Sequence, residues 1–152
     1  RFMIFDLDLS QGEWFRFFES RINEKGELVY DDPKPDAGRV CIRSIAPFLE
    51  QIQAKRKKKF EWVLNTATRS MERIGYFEEQ SIEDQRKERD DLWDYAITDM
   101  EDFYDVKGAL ILCTRENRLK LMAHPVFDRF VARCLQIISA SGVKTKEEAE
   151  KN

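Results

Sequence analysis

The chain has 152 residues, 42% of them hydrophobic and 36% charged, enough for one domain with a real core under a heavily charged surface. A net charge of -3 argues against general affinity for nucleic acid, and no apolar run reaches the length of a membrane span. Cys41, Cys113 and Cys134 are odd in number and far apart, which fits neither a disulfide framework nor a metal pattern; with no signal peptide apparent, a reducing cytoplasm is the expected setting.

Residues 2–9, FMIFDLDL, read as a strand or an extended arm. Residues 13–22 place Trp14, Phe18 and Ile22 on one side and Phe15 and Phe17 on the other, as in a strand covered on both faces. A turn at residues 23–26, with Gly26 available for a left-handed position, leads to a return strand over residues 27–30. Residues 31–38, DDPKPDAG, form a loop, and residues 39–45 alternate as a third strand. Pro47 then opens a helix predicted to run through Phe48, Leu49 and Ile52 to Phe60, Val63 and Leu64. Its middle carries the basic run Lys55, Arg56, Lys57, Lys58 and Lys59. Residues 71–77 read as an edge strand after a polar break.

Ser81 caps the next helix, with Glu83 and Asp84 in the first turn. Its first half is almost entirely charged. The apolar face runs from Leu92 through Trp93, Ala96, Ile97, Met100 and Phe103 and is predicted to end at Lys107-Gly108. Residues 109–113 form an extended link. Thr114 caps a short helix, His124-Pro125 breaks it, and Pro125 opens another. There Phe127, Phe130, Val131, Cys134 and Ile138 fall at i, i+3, i+4, i+7 and i+11, one continuous face. Such a face first of all builds a core. Its width also suggests a surface for a partner, and Phe127, Phe130, Val131 and Cys134 are the candidate partner-binding residues, together with Lys55, Arg56, Lys57 and Lys58. The expected fold is α+β: a small antiparallel sheet over residues 1–45, a mainly helical part over 46–138, and a flexible tail over 139–152.

Candidate chemistry is sparse. Asp6 and Asp8 end an apolar strand, as in the first motif of haloacid-dehalogenase-like phosphotransferases, where they would serve as nucleophile and general acid around magnesium. Leu9-Ser10 departs from that motif, and the alternating strands and helices of the fold are missing, so acids on an edge strand are the plainer account. The basic run beside Phe60 and Trp62 has the residue types of a phosphate and base contact, but five cations around a helix more often form a solvated or protein-docking face. The acidic stretch at residues 83–91 offers it a complementary surface, within the chain or between copies. His124 has no spaced partners for zinc or a hydrolase triad. Asp90, Asp91, Asp94, Asp99 and Asp102 lack a calcium-loop pattern. No catalytic residue, metal or cofactor is expected.

A wider pattern joins Trp14-Phe15, residues 26–33 (GELVYDDP), residues 39–43 (RVCIR), residues 69–73 (RSMER), residues 91–97 (DLWDYAI), residues 113–117 (CTREN) and residues 125–130 (PVFDRF). Together these resemble small morphogenesis proteins of tailed bacteriophages, and the closing pair of helices is similar to tail assembly chaperones. The resemblance implies a non-enzymatic protein of the host cell cytoplasm, acting in several copies. It would keep the tape-measure protein soluble and recruit tail-tube subunits, with no membrane or nucleic acid as partner. The strand-rich first 45 residues depart from that family. The alternatives are a nucleic-acid-binding or host-targeting phage protein using residues 55–59, and a metal-dependent phosphotransferase.

Overall fold

The computed structural model describes residues 10–56 and 58–140 in full and the backbone of residues 3–5 and 143–145. Asp6, Asp8 and Lys57 therefore lie outside the described residues.

The expected α+β class holds. In chain order the elements are β1 (Met3–Phe5), β2 (Glu13–Arg16), β3 (Ser20–Ile22), β4 (Leu28–Tyr30), β5 (Arg39–Ile42), α1 (Ala46–Lys55), β6 (Lys58–Asn65), β7 (Ser70–Phe77), α2 (Ile82–Ala96), β8 (Ile97–Glu101), α3 (Arg115–Met122), α4 (Pro125–Ala140) and β9 (Val143–Thr145). A three-stranded antiparallel sheet, ordered β2-β5-β8, lies at the centre. Three two-stranded pairs, β3-β4, β6-β7 and β1-β9, complete the strands.

The core forms where β5 and β8 meet α4. Val40, Ile42, Ile97, Met100, Met122, Phe127, Phe130, Val131 and Cys134 make one buried cluster. Phe130 sits at its middle, with ring centroids 5.1 Å from Phe17 and 4.8 Å from Phe18. Those two contacts explain a correction. Residues 13–22 are not one strand, because consecutive strand residues point to opposite faces, whereas Phe17 and Phe18 both reach Phe130. The chain breaks between β2 and β3, and the Phe17 amide donates to the Gly38 carbonyl at 2.8 Å. Gly38 is required there: a Cβ would stand 2.7 Å from the Phe103 ring and 2.9 Å from the Asp102 carbonyl. The β3-β4 turn forms as predicted, with Gly26 at φ 78° and the Asn23 Oδ1 accepting from the amides of Lys25 and Glu27.

The helix expected to reach Lys107-Gly108 stops at Ala96 and continues as β8. Ile97 and Met100 share a face at helical spacing, but a bulge produces it. Ile42 pairs with Ile97, Cys41 with Asp99 and Val40 with Met100, leaving Thr98 as the extra residue. The Thr98 hydroxyl donates to the Cys41 carbonyl at 3.2 Å. Both predicted caps form: the Ser81 Oγ accepts from the Asp84 amide, and the Thr114 Oγ1 from the Asn117 amide. α4 ends two residues beyond the expected boundary, and β9 pairs with β1 inside the stretch expected as tail.

Cys134 is fully buried, and burial pushes its thiol up to about 12, with Glu13 adding to the shift and Arg133 opposing it. A thiolate is the nucleophile in alkylation. Iodoacetamide at pH 8 is therefore expected to modify the half-buried Cys113 in the native protein and to spare Cys134 until urea is added, as read by peptide mass spectrometry.

Candidate functional site

Phe127, Phe130, Val131 and Cys134 are between 0% and 4% exposed. The core reading of that face holds, and the partner-binding role expected of the four is corrected: the apolar side chains around β5 and β8 already cover them. The basic run is also not a helical face. Lys55 ends α1, and Arg56 caps it and faces Glu88 at 3.8 Å across to α2. Lys58 and Lys59 open β6 and, as neighbours in a strand, lie on opposite faces. Lys59 pairs with Glu78 at 2.9 Å, which raises its pKa. The acidic half of α2 thus meets the basic run within the chain, at least through Arg56 and Glu88.

The exposed apolar surface lies where a helix was expected. Lys58–Asn65 form β6, which pairs along eight residues with β7. Phe60, Val63 and Leu64 suit helical spacing, yet Lys58, Phe60, Trp62 and Leu64 alternate strictly with Lys59, Glu61, Val63 and Asn65, and the strand period wins. The partner strand decides the matter, and the connection makes it local. The Asn65 Oδ1 accepts from the Ala67 amide at 3.0 Å, Thr68 and Ser70 hydroxyls meet at 2.8 Å, and Arg69 takes the left-handed φ of 52° that closes the loop.

The register sorts the side chains. One face carries Lys58, Phe60, Trp62 and Leu64 from β6 and Met71, Arg73, Gly75 and Phe77 from β7. The other carries Lys59, Glu61, Val63 and Asn65 with Ser70, Glu72, Ile74 and Tyr76. All the acids of the hairpin strands are on the second face. On the first, Phe60, Trp62, Leu64, Met71 and Phe77 are between 51% and 64% exposed. The Arg73 guanidinium lies 3.8 Å from the Phe60 ring centroid, a cation fixed among the apolar groups. No residue of the core cluster or of its packed rim comes from this hairpin. With aromatic side chains of about 150–250 Å² each, the face offers roughly 500 Å² of apolar surface, the size at which exposed patches mark interaction sites. An isolated two-stranded hairpin is marginal in water.

Two of the five aspartates spaced along residues 90–102 are engaged in ion pairs with α3. Asp91 and Asp94 bind Arg115 at 2.7 and 3.1 Å, and Asp94 binds Arg118 at 2.6 Å, tying α2 to α3. Burial works against the Arg118 charge, but the hydrogen bonds it donates to the Cys113 sulfur and the Asp94 carboxylate outweigh it and its pKa is raised. Among the described residues, no three His, Cys, Asp or Glu converge as a metal site, and no helix is long and apolar enough to cross a membrane.

The hairpin face is hidden in the sequence because Phe60, Val63 and Leu64 fit a helix while residues 71–77 read as a separate edge strand. Two stretches rich in aromatic and β-branched residues, on either side of the short polar stretch at residues 65–70, are the signal of a hairpin that joins them. No protein-family model, no curated protein and no solved structure matches this chain.

Proposed function

We propose that this chain is a non-catalytic assembly protein of the tail-assembly-chaperone kind, which holds apolar segments of another protein through the β6-β7 hairpin. The observation that carries the reading is the acid-free face of Phe60, Trp62, Leu64, Met71 and Phe77, left more open to solvent than Val63, Ile74 and Tyr76 on the other face, on an arm that adds nothing to the core. Solvent exposure of that many large side chains on a two-stranded element is unfavourable unless another chain covers them. The capped α3 and the Phe-rich α4, which carried the resemblance to tail chaperones, form the body from which the arm projects. A long helical tape-measure protein, rich in apolar side chains, is a client such a face suits, and tail-tube subunits would be recruited to the same complex.

A second reading is favoured by Lys58 and Arg73 beside Phe60, Trp62 and Phe77: a platform on which single-stranded nucleic acid stacks. The aliphatic Leu64 and Met71 at the far end of the face have no use in stacking, and they favour protein.

Co-expression tests the proposal. A tape-measure-type protein that is insoluble alone is expected to stay soluble with the wild-type chain and to precipitate with Trp62→Glu. Equal solubility with both would refute the role of the arm. Salt-sensitive retention of the wild type on single-stranded DNA, lost in Arg73→Glu, would favour the second reading instead.

A further inference from the structure

We infer that the arm of one copy also docks head-to-tail into an acidic apolar groove on the next copy, so that the chain forms open-ended assemblies until a client takes the arm. The inference rests on the arm being a docking surface and names a partner for it. The groove runs along β8, the terminal strand of its sheet, and is lined by Asp99, Glu101, Asp102, Tyr104, Leu110 and Leu112 among others, with a volume of about 340 Å³. Tyr104, Leu110 and Leu112 are more than half exposed, and Val106 beside them is fully so. They form a concentration of exposed apolar side chains outside the hairpin.

The two surfaces fit each other and not themselves. The arm face carries two cations, Lys58 and Arg73, and no acid. The groove carries three acids, of which Glu101 is held by Arg39. Asp99 and Asp102 thus give it negative charge. Two arm faces brought together would oppose cation to cation, whereas arm on groove pairs cations with acids and covers apolar groups on both sides. With roughly 500 Å² on the arm and a similar area around the groove, the contact buries about 1,000 Å², the lower end for a specific interface and typical of a reversible one. A contact between two different patches does not close on itself in a pair. It propagates into rings or filaments.

Light scattering and sedimentation of the full chain, over a hundredfold range of concentration at low salt, test this. Wild type is expected to grow in mass with concentration past the dimer. Trp62→Glu removes the arm and Leu112→Glu removes the groove. Both residues are more than half exposed, so neither change reaches the core. Each variant alone is expected to remain monomeric, with association at least tenfold weaker. An equimolar mixture of the two is expected to form a dimer and stop, because one intact arm meets one intact groove. Arg73→Glu and Asp99→Lys should each weaken association, and a single chain carrying both changes should regain it. A wild type that is monomeric throughout, or a Leu112→Glu variant that associates like wild type, overturns the inference. Client capture separates the two ideas. Leu112→Glu should still keep the client soluble, so loss of self-association without loss of capture concerns the groove alone. Capture that survives Trp62→Glu refutes the assembly role even where the chains associate as described.

Discussion

Replacing Phe130 by alanine is expected to lower the stability of the chain by about 3–5 kcal/mol, the largest effect of any single truncation here. Phe130 is 1% exposed and touches the rings of Phe17, Phe18 and Phe127, which come from the β2-β3 break and from α4 itself. Phe17 and Phe18 are held by the β2-β3 segment and Phe127 by α4 itself, so these neighbours are not free to move in and fill the space. Loss of the ring therefore leaves a cavity in addition to lost burial. Urea unfolding followed by tryptophan fluorescence would measure the change. A loss under about 1 kcal/mol would mean that the site collapses, and that this ring is not the centre of the core.

Excision of the arm should have the opposite signature. Replacing residues 58–77 by a short Gly-Ser linker is expected to leave the urea midpoint of the body within about 0.5 kcal/mol of wild type, the range of changes that touch no core feature. The deletion removes Phe60, Trp62, Leu64, Met71 and Phe77, yet none of them packs against the buried cluster. The same deletion is expected to abolish both client solubility and self-association. If it unfolds the body instead, the arm's apolar face is part of the fold, and its role as a docking surface fails.

The sequence reveals the fold where local chemistry settles it. Ser81 and Thr114 announce their helices by cap chemistry alone, and the Asn23 to Gly26 turn announces its hairpin. The face of Phe127, Phe130, Val131 and Cys134 is plain from its spacing. What stays hidden depends on strands distant in sequence. The bulge at Thr98 disguises a strand as the end of a helix, because it puts Ile97 and Met100 on one side. Phe60, Val63 and Leu64 mimic a helix for want of the partner strand that fixes their period. The choice between core and partner for a wide apolar face is likewise settled elsewhere, by whether β5 and β8 arrive to cover it. They cover α4 and leave the hairpin bare. The candidate site was therefore legible as a set of residue types, Lys58 with Phe60 and Trp62, but not as a surface.

Lys58 pairs with Phe77, so the chain leaves the body and returns to it at neighbouring points. The arm is in effect a cassette inserted between α1 and α2. Its recognition face can be rewritten by point changes, or exchanged for an unrelated hairpin of equal width, without renegotiating how the remainder folds. Chains of this fold facing different partners would need to diversify only this insert.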